Sequence, residues 1–358
     1  MRYTVLTILF LSWILSISAQ NNCENQLGVW LWRLEQTGLN HSALAFNLQA
    51  RDIKRIYVKV ADGTADSLAW DELVDVSLVE EYKEQGISPW GWSYNYPTSD
   101  FELQAEALYQ AAKTGYEGFV VDVEMEFDGD AFSLNELFSE FFAAKQRAIA
   151  DGHATRDFQL YCTTWGNPKD HNFSIATINP YVDGFMPQTY VELWGQSFVD
   201  NLRFWIEEGN REYSELGATK PIHHIASTAT DRMTTERIDE FMRISGPETS
   251  LWRIPGSSVP FTLWERWNEV DWDREFCDVT STAEISANPI TSLYPNPTDG
   301  LVYFSDGKPH SIVILDTYGR LIFWAEDPIN SIDLSTYDNG LYLLYLDYGR
   351  EPIKVVKQ

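Results

Sequence analysis

The sequence predicts an α/β fold, a (β/α)8 barrel of TIM type followed by a small all-β, Ig-like sandwich. Three observations carry this. From Gly28 to Ile254, eight short apolar runs alternate with longer stretches of helical character, the pattern of a parallel sheet with crossover helices. The span from Cys23 to Cys277 matches the roughly 250 residues of such a barrel. Near Thr280–Asn288 the composition shifts to Ser, Thr, Ala and Asn, and the remainder consists of short alternating runs parted by turn signals.

In chain order, Arg2, the apolar run Val5–Ile17 and the small-residue group Ser18-Ala19-Gln20 have the layout of a signal peptide over residues 1–20. The run is too short to be a good membrane span, and no later segment reaches membrane length without charges. The mature chain is expected to lack a transmembrane span. The barrel, residues 23–278, has candidate strands at Gly28–Leu34, Arg55–Val60, Ser88–Tyr94, Gly118–Glu124, Gln159–Thr164, Gly184–Tyr190, Pro221–Ser227 and Ser250–Ile254. Helices are expected at Phe101–Lys113, Leu134–Ala150, Phe198–Gly209 and Thr234–Ser245. An open doubly wound sheet would carry a glycine-rich phosphate loop after its first strand, and Gly28-Val29-Trp30-Leu31-Trp32 is not one. Residues 279–290 read as a linker. In 291–358, strands are expected at Leu301–Phe304, Ser311–Leu315, Leu321–Trp324, Leu341–Leu346 and Ile353–Val356.

The formal net charge of -27 repels phosphate backbones, so nucleic acid is not an expected partner. Fourteen Trp and 18 Tyr in 358 residues supply either an aromatic core or stacking platforms for the flat faces of sugar rings. Cys23 and Cys277 bracket the barrel and are placed to staple it in an oxidising compartment. Cys162, within an apolar run, reads as a buried thiol. No CxxC motif or His/Cys cluster calls for a metal, and no cofactor is expected.

Chemistry in such a barrel sits at the C-terminal ends of the strands. Strand four continues as Asp122-Val123-Glu124-Met125-Glu126. Alternation puts Phe119, Val121, Val123 and Met125 on the helix side, and the catalytic candidates Asp122, Glu124 and Glu126 on the barrel side. Carboxylates about 7 Å apart on one face repel, so one keeps its proton to higher pH, which suits glycosidic bond cleavage. On strand two, alternation turns Lys59 inward, as counter-ion or hydrogen-bond donor, and Asp62 reaches the mouth as a turn residue or substrate contact. Gln188 and Tyr190 share a face of strand six and are candidates to hold an amide or a developing charge. Trp30, Trp32, Trp92 and Trp252 are candidate sugar-stacking residues. His223 and His224 are adjacent, so at most one faces the site.

The tail closely resembles the C-terminal sorting domain of the type IX secretion system. Tyr294-Pro295-Asn296-Pro297, Gly300, Asp316-Thr317-Tyr318-Gly319-Arg320, Asn339-Gly340-Leu341-Tyr342 and Lys354-Val355-Val356-Lys357 carry the resemblance. It implies export through the periplasm and outer membrane, with the type IX machinery as partner and a secreted or surface-attached product. In the barrel, Val58-Lys59-Val60-Ala61-Asp62-Gly63, Val121-Asp122-Val123-Glu124 and Leu160-Tyr161-Cys162-Thr163-Thr164 are similar to segments of the glycoside hydrolase family 25 lysozymes. That resemblance implies Glu124 as general acid, Asp122 as assisting carboxylate and peptidoglycan as substrate. Trp30 stands where the family has a first-strand Asp. Phe185-Met186-Pro187-Gln188-Thr189-Tyr190 resembles the sixth strand of the family 18 chitinases. Both families act on N-acetylated sugars. The expectation is a secreted glycoside hydrolase, retaining or substrate-assisted, acting on an N-acetylhexosamine polysaccharide such as peptidoglycan or chitin. The alternative is a non-catalytic glycan-binding surface protein on the same barrel.

Overall fold

The computed structural model describes residues 24–63, 75–98, 100–256, 262–276, 293–304, 312–316, 321–325, 330–346 and 353–358. The signal peptide, the Cys23–Cys277 pairing and the 279–290 linker lie outside them. The chain divides into two compact units, Met1–Cys277 and Asp278–Gln358.

The first unit is a closed barrel of eight parallel strands in sequence order. These are β1 (Gly28–Leu31), β2 (Arg55–Asp62), β3 (Ser88–Tyr94), β4 (Gly118–Asp122), β5 (Gln159–Trp165), β6 (Gly184–Gln188), β7 (Ile225–Ser227) and β8 (Ser250–Trp252). Closure is made where Gly28 of β1 pairs with Ser250 of β8. The helices between them are α1 (His41–Gln49), α2 (Val76–Glu84), α3 (Phe101–Thr114), α4 (Ala131–Ala150), α5 (Ile175–Ile178), α6 (Val191–Trp194), α7 (Gln196–Val199), α8 (Leu202–Glu215), α9 (Thr235–Ser245) and α10 (Thr262–Glu269). Side chains of Asp100, Asp130 and Thr234 accept backbone N–H groups at the starts of α3, α4 and α9, satisfying donors that the helix leaves open.

Alternation along the strands sorts the barrel into two cores. Ile56, Val58, Val60, Phe119, Val121 and Val123 face the helices. Trp30, Tyr57, Trp90, Trp92, Val120, Tyr161, Met186 and Ile225 fill the interior. Inward glycines make room for this aromatic filling. A Cβ on Gly118 would stand 2.5 Å from the Trp90 ring, and one on Gly184 would stand 2.9 Å from the Tyr161 ring. At the N-terminal end of the barrel, buried Arg55 donates to Tyr57 and Glu248, at 3.3 and 3.2 Å.

Some boundaries differ from the sequence reading. Strand four ends at Asp122, and Glu124 leads into a single 3-10 turn, Met125–Phe127. Met125 is therefore 67% exposed instead of packed against helices, and Phe127 takes the buried place. The expected helix Phe198–Gly209 is two helices, broken at Asn201, whose backbone leaves the helical region.

The second unit has a three-stranded sheet, β13 (Ser331–Asp333), β10 (Leu301–Phe304) and β9 (Leu293–Tyr294). Its four-stranded sheet is β12 (Leu321–Ala325), β11 (Ile312–Asp316), β14 (Gly340–Leu346) and β15 (Ile353–Lys357). Val302, Ile332, Ile314, Leu344 and Val355 from the two sheets share one core, which makes the unit a sandwich.

Candidate active site

The three acids expected on one face form a graded set. Asp122, the last residue of β4, is 6% exposed, Glu124 is half-buried and Glu126 is exposed. The amide of Gln188, at the end of β6, ties two of them together. Its Nε2 donates to Asp122 Oδ1 and to Glu124 Oε1, each at 3.0 Å. Two oxygens held by one nitrogen lie within about 6 Å of each other. Glu126 turns aside on the 3-10 segment and accepts from the Tyr94 hydroxyl at 2.8 Å.

Burial pushes the Asp122 carboxyl well above the usual carboxylate range. The charge of Glu124 adds to this, and Lys59 opposes it. Burial also raises Glu124, against the hydrogen bond from Gln188, which favours the ionised form. Burial, and then the charges of Asp122 and Glu124, push the Tyr190 hydroxyl well up, while Arg253 pulls it down. Tyr190 is partly buried against the interior core.

Lys59 is 4% exposed and bonds Asp62 Oδ2 at 2.7 Å. A bulge explains how both face inward. The β2–β3 register shifts between Lys59 and Ala61, so Asp62 comes opposite Tyr94 and on the same face as Lys59. Tyr96 also donates to Asp62, at 3.1 Å. Burial and Asp62 raise the Tyr96 hydroxyl to about 12. Asp62 is thus held by the protein rather than standing open as a turn residue.

Two of the four expected stacking tryptophans are sealed. Trp30 and Trp92 are each 1% exposed. Trp30 stacks on Tyr57 at 4.5 Å, and the Trp92 Nε1 donates to the Leu31 carbonyl. They are barrel filling and do not reach a sugar. Trp32 and Trp252 are partly exposed, with the Arg253 guanidinium over their rings at 4.4 and 5.7 Å. Neither histidine faces the acids. His223 stacks on Tyr161 near Glu248, at the other end of the barrel. His224 meets Thr189 and Asn210 on the helix side, and burial pushes it down to about 3, so it is neutral.

Sequence reasoning missed four residues here. Tyr94 was legible, since it shares a β3 face with Trp90 and Trp92. Tyr96 and Arg253 lie just past strand ends, where alternation gives no direction. Glu192, fully buried on α6, accepts from the Ala229 and Thr230 N–H groups at 2.7 and 3.1 Å and from the Ser227 and Thr230 hydroxyls. It pins the loop after β7 to the segment after β6. Among the described residues, no group of three or more His, Cys, Asp or Glu side chains is placed to hold a metal ion.

Residues 292–358 match the family model described as the secretion system C-terminal sorting domain. This tail marks the chain for type IX export, to the cell surface or the medium. No curated protein matches the chain. The endo-beta-1,4-mannanase from Thermotoga petrophila is similar in structure, with 10% identity, 94% of this chain and 98% of that chain covered, and a TM-score of 0.51. The likeness is one of fold. The endo-1,4-beta-mannanase from Rhizomucor miehei gives 8% identity, coverage of 69% and 94%, and a TM-score of 0.47. The chitinase from Chromobacterium violaceum gives 10%, coverage of 68% and 98%, and 0.42.

Proposed function

We propose that the barrel is an exported glycoside hydrolase acting on an N-acetylhexosamine polysaccharide such as peptidoglycan or chitin. The observation that carries the reading is the Asp122–Gln188–Glu124 bridge at the C-terminal end of the strands. A buried carboxyl beside a half-buried one, both with raised proton affinity, fits the acid step of glycosidic cleavage. Glu124, the more open of the two, protonates the leaving oxygen. Asp122, the more deeply buried and holding its proton, orients the acetamide of the substrate. Gln188 holds the two carboxyls in place, and Tyr94, Glu126 and Tyr190 border them. Polysaccharide is the partner at this end of the chain, and the resemblance of these segments to the family 25 and family 18 hydrolases supports the N-acetylated class.

The test is Glu124→Gln, assayed by release of reducing ends from peptidoglycan and chitin. Loss of a general acid lowers the rate by at least about a hundredfold. An unchanged rate removes Glu124 from the reaction. The sealed Trp30, at the position where the family 25 enzymes carry an Asp, favours a second reading, a barrel that binds glycan without cleaving it. That reading expects tight binding by the native chain and no product after long incubation.

A further inference from the structure

The end of β5 and the loop after it form a ring stack, held by a carboxylate from the loop after β4, that the reading above leaves unused. His171 lies on Trp165 with centroids 3.7 Å apart and planes 8° from parallel. One carboxylate fixes both rings: Asp128 accepts from Trp165 Nε1 at 2.9 Å and bonds His171 Nδ1 at 3.0 Å. Trp165 ends β5 and pairs with Gln188 in the ladder, so the stack stands on the strand next to the amide that bridges the acids. The tryptophan also rests on the outer core, which anchors it. Both side chains keep part of their surface in solvent. Two exposed apolar side chains flank Asp128 along the chain, Met125 at 67% and Phe132 at 74%.

We propose that the Trp165–His171 stack is a sugar-binding subsite beside the acids, taking a hexopyranose ring of the polysaccharide outside the bond that is cleaved. A pyranose has one face of C–H groups and a rim of hydroxyls. The outer face of the His171 ring, backed by Trp165 and held by Asp128, matches that face and loses little freedom on binding. With Nδ1 turned to Asp128, the His171 Nε2 is directed away from it, where a sugar hydroxyl meets it. An uncharged ring also suits a surface of net charge -27, which disfavours anions. The proposal rests on the hydrolase reading for the identity of the chain that is bound.

The experiment measures binding of N-acetylglucosamine oligomers of two to six units to the full chain carrying Glu124→Gln, by calorimetry. Adding Trp165→Ala weakens the longest oligomer roughly tenfold and leaves the shortest nearly unchanged. His171→Phe, which keeps a ring on Trp165, holds most of the affinity, and His171→Ala does not. Trp165→Leu, which keeps apolar bulk but no ring, serves if the alanine variant does not fold. Equal affinity for the long oligomer in the Trp165 variants and their parent overturns the subsite alone. A parent that binds no oligomer, from a wild type that cleaves none, overturns the hydrolase reading and the subsite with it.

Discussion

Asp122 binds its proton more tightly in the folded chain than in the unfolded one, because burial and then Glu124 penalise its charge. A carboxyl raised in this way stabilises the fold fully below about pH 4, and the contribution is lost as pH climbs through the raised value. Asp122→Asn removes that loss. Melting curves are therefore expected to show the variant gaining on the wild type as pH rises above about 4. A difference that is constant with pH would mean that Asp122 is ionised in the folded chain. The same raised affinity of Glu124 predicts that hydrolysis fails on the alkaline side, as this acid loses its proton. The positive charge of Lys59, which also bonds Asp62, works against both of these rises.

At the scale of elements, the strands and glycines of the barrel fit as pairs. Gly118 on β4 is smooth because Trp90 on β3 lies across it. Gly118→Ala brings a methyl group into that ring, and overpacking of this kind costs about 1–3 kcal/mol. Denaturant unfolding measures it, and an unaltered midpoint would show that the ring yields freely. The strands were legible because each apolar run is bounded by turn residues, and β3 was read to its ends, Ser88 and Tyr94. The inward direction of Lys59, Asp122 and Gln188 followed from alternation alone. What failed did so where the period of two ends. Beyond Asp122 the chain turns into a 3-10 segment, so Met125 emerges into solvent and Glu126 swings to Tyr94. The bulge at Lys59/Ala61 is invisible in a pattern of hydrophobicity, although it decides which way Asp62 points. Trp30 and Trp92 were read as stacking candidates because composition does not separate a tryptophan that fills a barrel from one that lines its mouth.

For the whole molecule, two separate cores imply two separable units. The sandwich closes on Val302, Ile314, Ile332, Leu344 and Val355, and the barrel closes on its own residues. A chain ending before Leu293 is expected to melt at the temperature of the intact barrel and, on the proposed hydrolase function, to cleave polysaccharide at the same rate, while remaining inside the cell envelope. Scanning calorimetry and fractionation check both halves of this. A barrel that fails to fold without the tail would contradict it.

The aromatic filling of the barrel has an optical consequence. Trp30, Trp92 and Trp267 are insulated from water by surrounding rings and aliphatic chains, whereas Trp32, Trp165 and Trp252 stand partly open. Iodide should therefore extinguish only a fraction of the emission of the native chain, and on the proposed function a saccharide seated at the mouth should shield the part of that fraction that comes from Trp32, Trp165 and Trp252. The protein carries its own reporter of occupancy, with a steady internal background against which the signal is read.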